Sequence, residues 1–240
     1  MVAATALAAT VISADEMQVP RTAAEMLDWV DSTHGRFNTK ALRAEARLGK
    51  HFAKELLEEA RPIAQFARRH YGAVTDVFIS HVLGNQHHDA TVDDRRAQPE
   101  DIRLLEVTGT RTYEDALRME VLNRDGHAPM LGNIERVRTG ANRGHVAAQG
   151  VAQEHSRIVA DYLPLVLRAA QGKANNPHYG TNTALIIAVD DYMALREPED
   201  VATLDAYARE YVVPLLSQQS PFVMVALEGG RELHLEYGLR

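Results

Sequence analysis

The stretch RLLEVTGT (residues 103–110) has the composition of a buried β-strand, yet it contains one carboxylate, that of Glu106. Successive side chains of a strand point to opposite faces, so Glu106 shares its face with Leu104 and Thr108. A charged group inside an apolar and β-branched run is costly to bury unless a partner compensates its charge. The identity of that partner decides what this strand does.

The segments around this strand predict the rest of the sheet. Residues 74–80 (VTDVFIS) and 88–94 (HDATVDD) are typical of strands, and the turn-forming LGNQ lies between them. A long helix is predicted over residues 146–174, and the most apolar strand of the chain follows at 184–190. The order of helix, three strands, long helix and strand predicts a β-meander followed by a crossover that returns a strand to the same sheet. This is an α/β or α+β architecture.

The two ends of the chain add helices and a hairpin to this core. We divide the chain into a helical N-terminal extension over 1–50 and an α/β domain over 51–240. Thr22 is a suitable N-cap for the first long helix. At the other end, FVMVALEGGRELHLEY predicts a β-hairpin that turns at Gly229 and Gly230.

Composition limits the kind of function to expect. A chain of 240 residues that is 45% hydrophobic can bury a sizeable core. The formal net charge of −7 argues against a broad basic surface for nonspecific nucleic-acid binding, but it leaves room for a local basic patch. The absence of cysteine excludes disulfides and thiolate ligands, so any metal site must use carboxylates, histidines or carbonyls.

The apolar opening MVAATALAATVISADEM lacks the positive segment of a secretory signal and is too short to span a bilayer. We therefore expect a cytoplasmic protein with no membrane association. A homodimer is compatible with the sequence.

The partner of Glu106 is expected on the neighbouring strand. Asp89 stands near the start of the strand that would pair with the one containing Glu106. Two acids facing each other would raise one another's pKa unless a cation lies between them. Mg²⁺ or Mn²⁺ is the natural candidate, because hard divalent cations take oxygen ligands.

The motif GNQHHDATVDD, followed by LLEVT with its glutamate seventeen positions after the aspartate, resembles the PD-(D/E)xK, or restriction-endonuclease-like, nuclease superfamily. The resemblance covers roughly residues 50–192 and implies that superfamily's core of helix, three strands, helix and strand. It implies metal ligation by Asp89, by Glu106 and by the backbone carbonyl of Val107. It also implies an acid from the first core helix, for which we choose Glu59.

The sequence departs from the superfamily motif at the lysine, because Thr108 occupies that position. A threonine hydroxyl can hydrogen-bond a water but is a poor acid or base at neutral pH. Members of the superfamily can relocate the lysine to a helix, and Lys173 or, failing that, Arg118 could take its place. Gln149 and Gln153, near the start of the predicted long helix, could contact substrate.

The resemblance implies Mg²⁺-dependent hydrolysis of phosphodiester bonds in nucleic acid, DNA in preference to RNA, with Asp89, Glu106, Thr108 and Lys173 as the catalytic candidates. The alternative is a nuclease-like fold without activity that serves as a binding or assembly module. Titration with Mn²⁺ distinguishes the nuclease from the inactive module, because we expect Mn²⁺ to bind only if Asp89 and Glu106 form a functional site.

Each candidate also has an ordinary structural explanation. Asp89 suits a turn, and a salt bridge to Arg95 or Arg103 would explain Glu106. Ordinary strand or surface positions would suit the remaining candidates, Thr108, Lys173 and Glu59.

Other polar groups are weaker candidates for the same chemistry. The glutamates Glu55 and Glu58 are alternatives to Glu59. The remaining groups are a histidine pair, an aspartate pair after the apolar strand and an arginine-containing loop that could contact phosphates: His87 and His88, Asp190 and Asp191, and Arg136, Arg138 and Arg143.

Overall fold

The structure is a computed structural model that describes residues 11–189, 194–230 and 232–240. Its strands are β1 (Arg21–Thr22), β2 (Val77–His81), β3 (Ala90–Asp94), β4 (Leu104–Gly109), β5 (Gly132–Arg136), β6 (Val146–Gly150), β7 (Thr183–Val189), β8 (Met224–Gly229) and β9 (His234–Gly238). Its α-helices are α1 (Ala14–Gln18), α2 (Ala23–His34), α3 (Lys40–Arg47), α4 (Arg61–His70), α5 (Tyr113–Asp125), α6 (His155–Ala174), α7 (Pro198–Tyr207) and α8 (Val213–Gln219). Two π-helical segments, Glu55–Ala60 and Ala208–Val212, precede α4 and α8.

Seven of these strands form one mixed sheet in the order β1-β2-β3-β4-β7-β8-β9. Strands β2, β3 and β4 pair antiparallel, whereas β4, β7 and β8 run parallel to one another and β9 returns antiparallel to β8. The four predicted core strands therefore lie in one sheet, and the predicted α/β class, meander, crossover and C-terminal hairpin are confirmed. Identity with the restriction-endonuclease-like topology stays a prediction.

Helices cover both faces of this sheet. One apolar core joins α2 and α4 to the face that contains Ile79, Leu105 and Val107. A second core joins α6, α7 and α8 to the opposite face, which contains Leu185 and Ile187. The fold therefore has three layers, with the sheet in the middle, and each of the two helical layers buries one side of the sheet.

Short local signals set several helix ends, and the expected N-cap at Thr22 is confirmed. Thr22 forms a capping box with Glu25 at the start of α2, and Gly35 ends that helix. Thr112 caps α5, which ends at Gly126 with a φ of 80° that glycine adopts without strain.

The helix predicted over 146–174 was wrong at its start, since α6 begins only at His155. Residues Val146–Gly150 form a strand that pairs antiparallel with β5. This hairpin forms because Ile134 and Val146 pack against α5 in a small apolar cluster of their own. Alanines that suit a helix are overridden here by tertiary packing.

The N-terminal helices share a core with the sheet. Met26 and Val30 of α2 are buried in the same cluster as Phe66 of α4. The domain boundary placed between residues 50 and 51 stays a prediction. Among the described residues, none of the helices combines the length and apolar character needed to cross a membrane.

Candidate active site

Asp89 and Glu106, here called the acid pair, lie on neighbouring strands. The pairing of Ala90 with Leu105 places Asp89, one residue earlier, opposite Glu106. The backbone amide of Asp89 donates to the carbonyl of Leu105 at 2.8 Å. Its side-chain Oδ2 accepts a 2.7 Å hydrogen bond from the amide of Val107, which fixes the carboxylate beside β4.

The partner of Glu106 is Lys173, in the last turn of α6. Glu106 is 5% exposed, and its Oε1 accepts hydrogen bonds from Lys173 Nζ and, at 2.9 Å, from the hydroxyl of Tyr179. The alternative salt bridge to Arg95 or Arg103 is absent, and Arg95 instead bonds Asp93 at 2.7 Å. The carboxylate of Glu106, buried in β4, is therefore paired with a cation from the helix that covers this strand.

The topology explains why the far end of α6 reaches the acid pair. Strand β7 runs parallel to β4 with Thr183 beside Leu104. The helix that precedes β7 must therefore finish near the start of β4, and its last turn places Lys173 next to Glu106. Lys173 therefore reaches the acid pair because it lies at the end of α6, far from the helix start.

Burial and charge shape the protonation of this cluster. Burial, together with the charges of Glu106 and Glu59, raises the pKa of Asp89 to about 6, although the Val107 amide and Lys173 act in the opposite direction. Burial also disfavours the ammonium of Lys173, but the hydrogen bond and charge of Glu106 outweigh it and raise the pKa of Lys173 above its ordinary value. Lys173 is therefore a fixed cation at neutral pH, and Asp89 titrates close to neutrality.

The acid pair retains unused oxygens. Within the described part of the chain, Asp89 Oδ1 and Glu106 Oε2 make no hydrogen bond. No group of three or more histidine, aspartate or glutamate side chains in that part is arranged to hold a metal ion. Mg²⁺ nevertheless binds commonly through one or two carboxylates with waters and substrate oxygens completing its shell, so the two free oxygens fit this ion.

Glu59 approaches the site from the π-helical segment before α4. Its negative charge helps to raise the pKa of Asp89. Its Oε2 lies 3.3 Å from Nε2 of His81. His81 is buried, and neither of its ring nitrogens forms a hydrogen bond among the described residues. Of the other two glutamates considered, Glu58 bonds Arg111 at 2.7 Å.

Thr108 lies two residues beyond Glu106 on the same face of β4 and is partly exposed. It lines a cleft of about 410 Å³ together with Arg168 and Gly172 of α6. Arg118, the second candidate to replace the motif lysine, bonds Asp115 on α5. Lys173 is thus the cation that the fold brings to the acid pair.

The remaining candidates have other surroundings. Gln149 is paired opposite Asn133 in the β5–β6 hairpin rather than at the start of a helix. Gln153 donates to Asp161 at 2.7 Å. The ring of His87 stacks on that of His178 with centroids 4.1 Å apart. Asp190 and Asp191 lie outside the described residues.

Sequence reasoning missed Tyr179 and His81. Tyr179 belongs to the loop NNPHYG before β7, which shows no periodicity that would mark a buried hydroxyl. His81 ends the apolar strand β2, and only its alternation with Ile79 indicates an inward side chain.

No protein-family model, curated protein or solved structure matches this chain. The geometry of the acid pair and its surroundings is therefore the basis on which a function is proposed.

Proposed function

We propose that this protein is a divalent-metal-dependent hydrolase of phosphodiester bonds in nucleic acid, DNA in preference to RNA. The observation that supports this proposal best is the position of Lys173 on Glu106, beside Asp89. These are the chemical groups that the resemblance to PD-(D/E)xK nucleases implies, with the lysine supplied by a helix instead of the strand.

Each residue has a distinct task in this proposal. Asp89 Oδ1 and Glu106 Oε2 would hold Mg²⁺ or Mn²⁺, which supplies a Lewis acid for the phosphate and lowers the pKa of a bound water. Tyr179 and Lys173 fix the orientation of Glu106 through Oε1. Lys173, being protonated, offers hydrogen bonds to the phosphate oxygens where negative charge increases in the transition state. Thr108 can hydrogen-bond a water but cannot deprotonate it at neutral pH.

A second candidate is a nuclease-like binding or assembly module without catalytic activity. The observation in its favour is that Lys173 and Tyr179 already satisfy one oxygen of Glu106 without any metal. A buried ion pair of this kind can serve only to specify how α6 docks on the sheet.

The test is cleavage of labelled single-stranded, double-stranded and branched DNA, and of RNA, in Mg²⁺, Mn²⁺ or EDTA. We expect metal-dependent cleavage that falls about 10²–10⁴-fold in Lys173→Met, since that is the typical loss for a positioned catalytic group. Lys40→Met, on the exposed first turn of α3, removes the same charge and should cleave like the wild type.

Metal binding provides a readout that does not depend on cleavage. Mn²⁺ should raise the melting temperature of the wild type and leave that of Asp89→Asn unchanged, because binding to the folded state alone stabilises it. Mn²⁺ binding without cleavage of any substrate would reject the proposed hydrolase activity while keeping the metal site. Absence of both would reject the metal site.

A further inference from the structure

We infer that a single strand of nucleic acid binds in one continuous cleft that begins beside Lys173 and ends at the tip of the β5–β6 hairpin. The direction of the strand, toward the acid pair, rests on the proposed function. The charges and the shape of the cleft lie outside that site. It is called the arginine cleft below and is lined by Arg111, Arg168, Arg136, Arg138 and Arg143.

The arginine cleft consists of two adjoining cavities. The first, of about 410 Å³, lies between the end of β4 and α6 and includes Thr108 and Gly172, the neighbour of Lys173. The second, of about 500 Å³, lies between α5 and the β5–β6 hairpin. Tyr113 and Glu114 line both cavities, so the two form one path along the surface.

The charge of this path is opposite to that of the whole chain. Five arginines line it against two glutamates, Glu114 and Glu135, in a protein whose formal net charge is −7. Arg138, Arg143 and Arg168 are exposed, and none of the three makes a side-chain hydrogen bond or ion pair with another residue that the structure describes. Such a local concentration of free cations fits a polyanionic backbone.

Two of the five arginines are held in place by neighbours. Arg111 bonds Glu58 at 2.7 Å, and Arg136 bonds Glu120 at 2.5 Å and the carbonyl of Gly144 at 2.9 Å. These contacts fix the walls of the arginine cleft, while the unpaired arginines can turn toward a ligand.

The shape and an aromatic side chain favour a single strand over a duplex. Each cavity has the volume of a site for a drug-sized ligand. Tyr113 is 63% exposed where the cavities join. An exposed ring beside a basic groove is the arrangement on which unpaired bases stack.

The hairpin that provides half of the arginine cleft is a small packed unit. Ile134 and Val146 bury themselves against Leu117 and Val121 of α5. This separate cluster holds Arg138 and Arg143 away from the main core and toward solvent. Substituting the two arginines should therefore leave the fold intact.

The experiment is fluorescence anisotropy with a labelled oligo-dT in EDTA, where no metal-dependent cleavage takes place. Each neutralised phosphate contributes about 0.7 to the log–log salt dependence of binding to a single strand. Arg138→Ala/Arg143→Ala should therefore weaken binding about 25-fold at 0.1 M salt and lower that slope by about 1.4. Arg68→Ala, an exposed arginine on α4 outside the cleft, is the matched control and should bind like the wild type.

Tyr113 is tested separately from charge. Tyr113→Ala should weaken oligo-dT binding about fivefold or more, whereas Tyr113→Phe, which keeps the ring, should retain wild-type affinity. Circular dichroism confirms that each variant is folded.

Several outcomes would overturn the inference. Equal affinity of the double arginine variant and Arg68→Ala would remove the arginine cleft as the binding surface. Stronger binding of poly-glutamate than of oligo-dT would assign it to an acidic polypeptide, and preference for duplex over oligo-dT would reject the single strand. Retained oligo-dT binding in a protein that never cleaves would reject the proposed function and leave the arginine cleft supported.

Discussion

Replacing Asp89 with asparagine removes a half-buried negative charge and keeps an oxygen that can accept from the Val107 amide. The pKa of the Asp89 carboxyl is raised to about 6 by burial and by Glu106, from an ordinary value of 3.8. The asparagine side chain stays neutral on both sides of these pKa values. The substitution should therefore change how the stability of the metal-free protein depends on pH.

The direction in which stability changes with pH depends on whether the folded or the unfolded chain binds the proton of Asp89 more tightly. Below pH 3.8 the carboxyl of Asp89 is protonated in the folded and the unfolded chain, and the raised pKa costs nothing. Between pH 3.8 and 6 the unfolded chain releases the proton while the folded protein keeps it, so stability falls as the pH rises. The difference between a pKa of 3.8 in the unfolded chain and about 6 in the folded protein corresponds to about 2–3 kcal/mol of lost stability above pH 6.

Urea unfolding at pH 4 and pH 7.5 in EDTA measures this difference. Asp89→Asn should match the wild type at pH 4 and exceed it by about 2–3 kcal/mol at pH 7.5. Asp93→Asn, at an exposed position of β3, is the control for the loss of one carboxylate outside the acid pair. Free energies of unfolding for wild type and Asp89→Asn that differ by the same amount at both pH values would refute the reasoning.

Three further predictions address other parts of the molecule. Lys173→Met should lower the free energy of unfolding by about 2 kcal/mol because it leaves Glu106 buried without its cation, and adding Glu106→Gln should restore most of this loss; urea midpoints of the single and double variants test it. Hydrogen bonds to Glu228 and Glu236 raise the pKa of His234 to about 9. The stability that this pKa shift contributes is fully present below pH 6.5 and should decline as the pH rises through 9. The decline should disappear in His234→Gln, and a decline that persists in this variant would contradict the prediction. Gly132→Ala should disrupt the β5–β6 hairpin, because Gly132 has a φ of +114° and a Cβ there would collide with the backbone of the facing strand; faster proteolysis of the hairpin, with an unchanged global unfolding midpoint, is the expected result.

Much of the sheet could be predicted from sequence because its strands have strong local signals. The period-2 alternation, the turn residues and the apolar run before residue 190 each indicate a strand without tertiary information. Val146–Gly150 has no such signal, since VAAQG suits a helix as well as a strand. Only its packing on α5 determines its conformation.

The acid pair could be predicted from the residue pattern, whereas Lys173 was a candidate only through the resemblance to the nuclease superfamily, and its contact with Glu106 could not be predicted. Asp89 and Glu106 follow from strand order and alternation, which are local properties. The contact of Lys173 depends instead on where α6 ends relative to β4, and this position is set by the parallel pairing of β7 with β4. A residue 67 positions away in sequence is brought to Glu106 by topology alone.

The balance of charge at this site bears on the proposed binding of a divalent cation. Lys173 supplies one positive charge beside the two carboxylates of the acid pair, which leaves one negative charge uncompensated. Burial, followed by this excess negative charge, raises the pKa of Asp89. Below pH 6 a proton on Asp89 can neutralise the excess charge. Above pH 6 the proposed metal would take the place of that proton between Asp89 Oδ1 and Glu106 Oε2. Metal binding should therefore displace a proton and weaken as the pH falls below 6, whereas an ion pair that only docks α6 on the sheet would bind no metal at any pH.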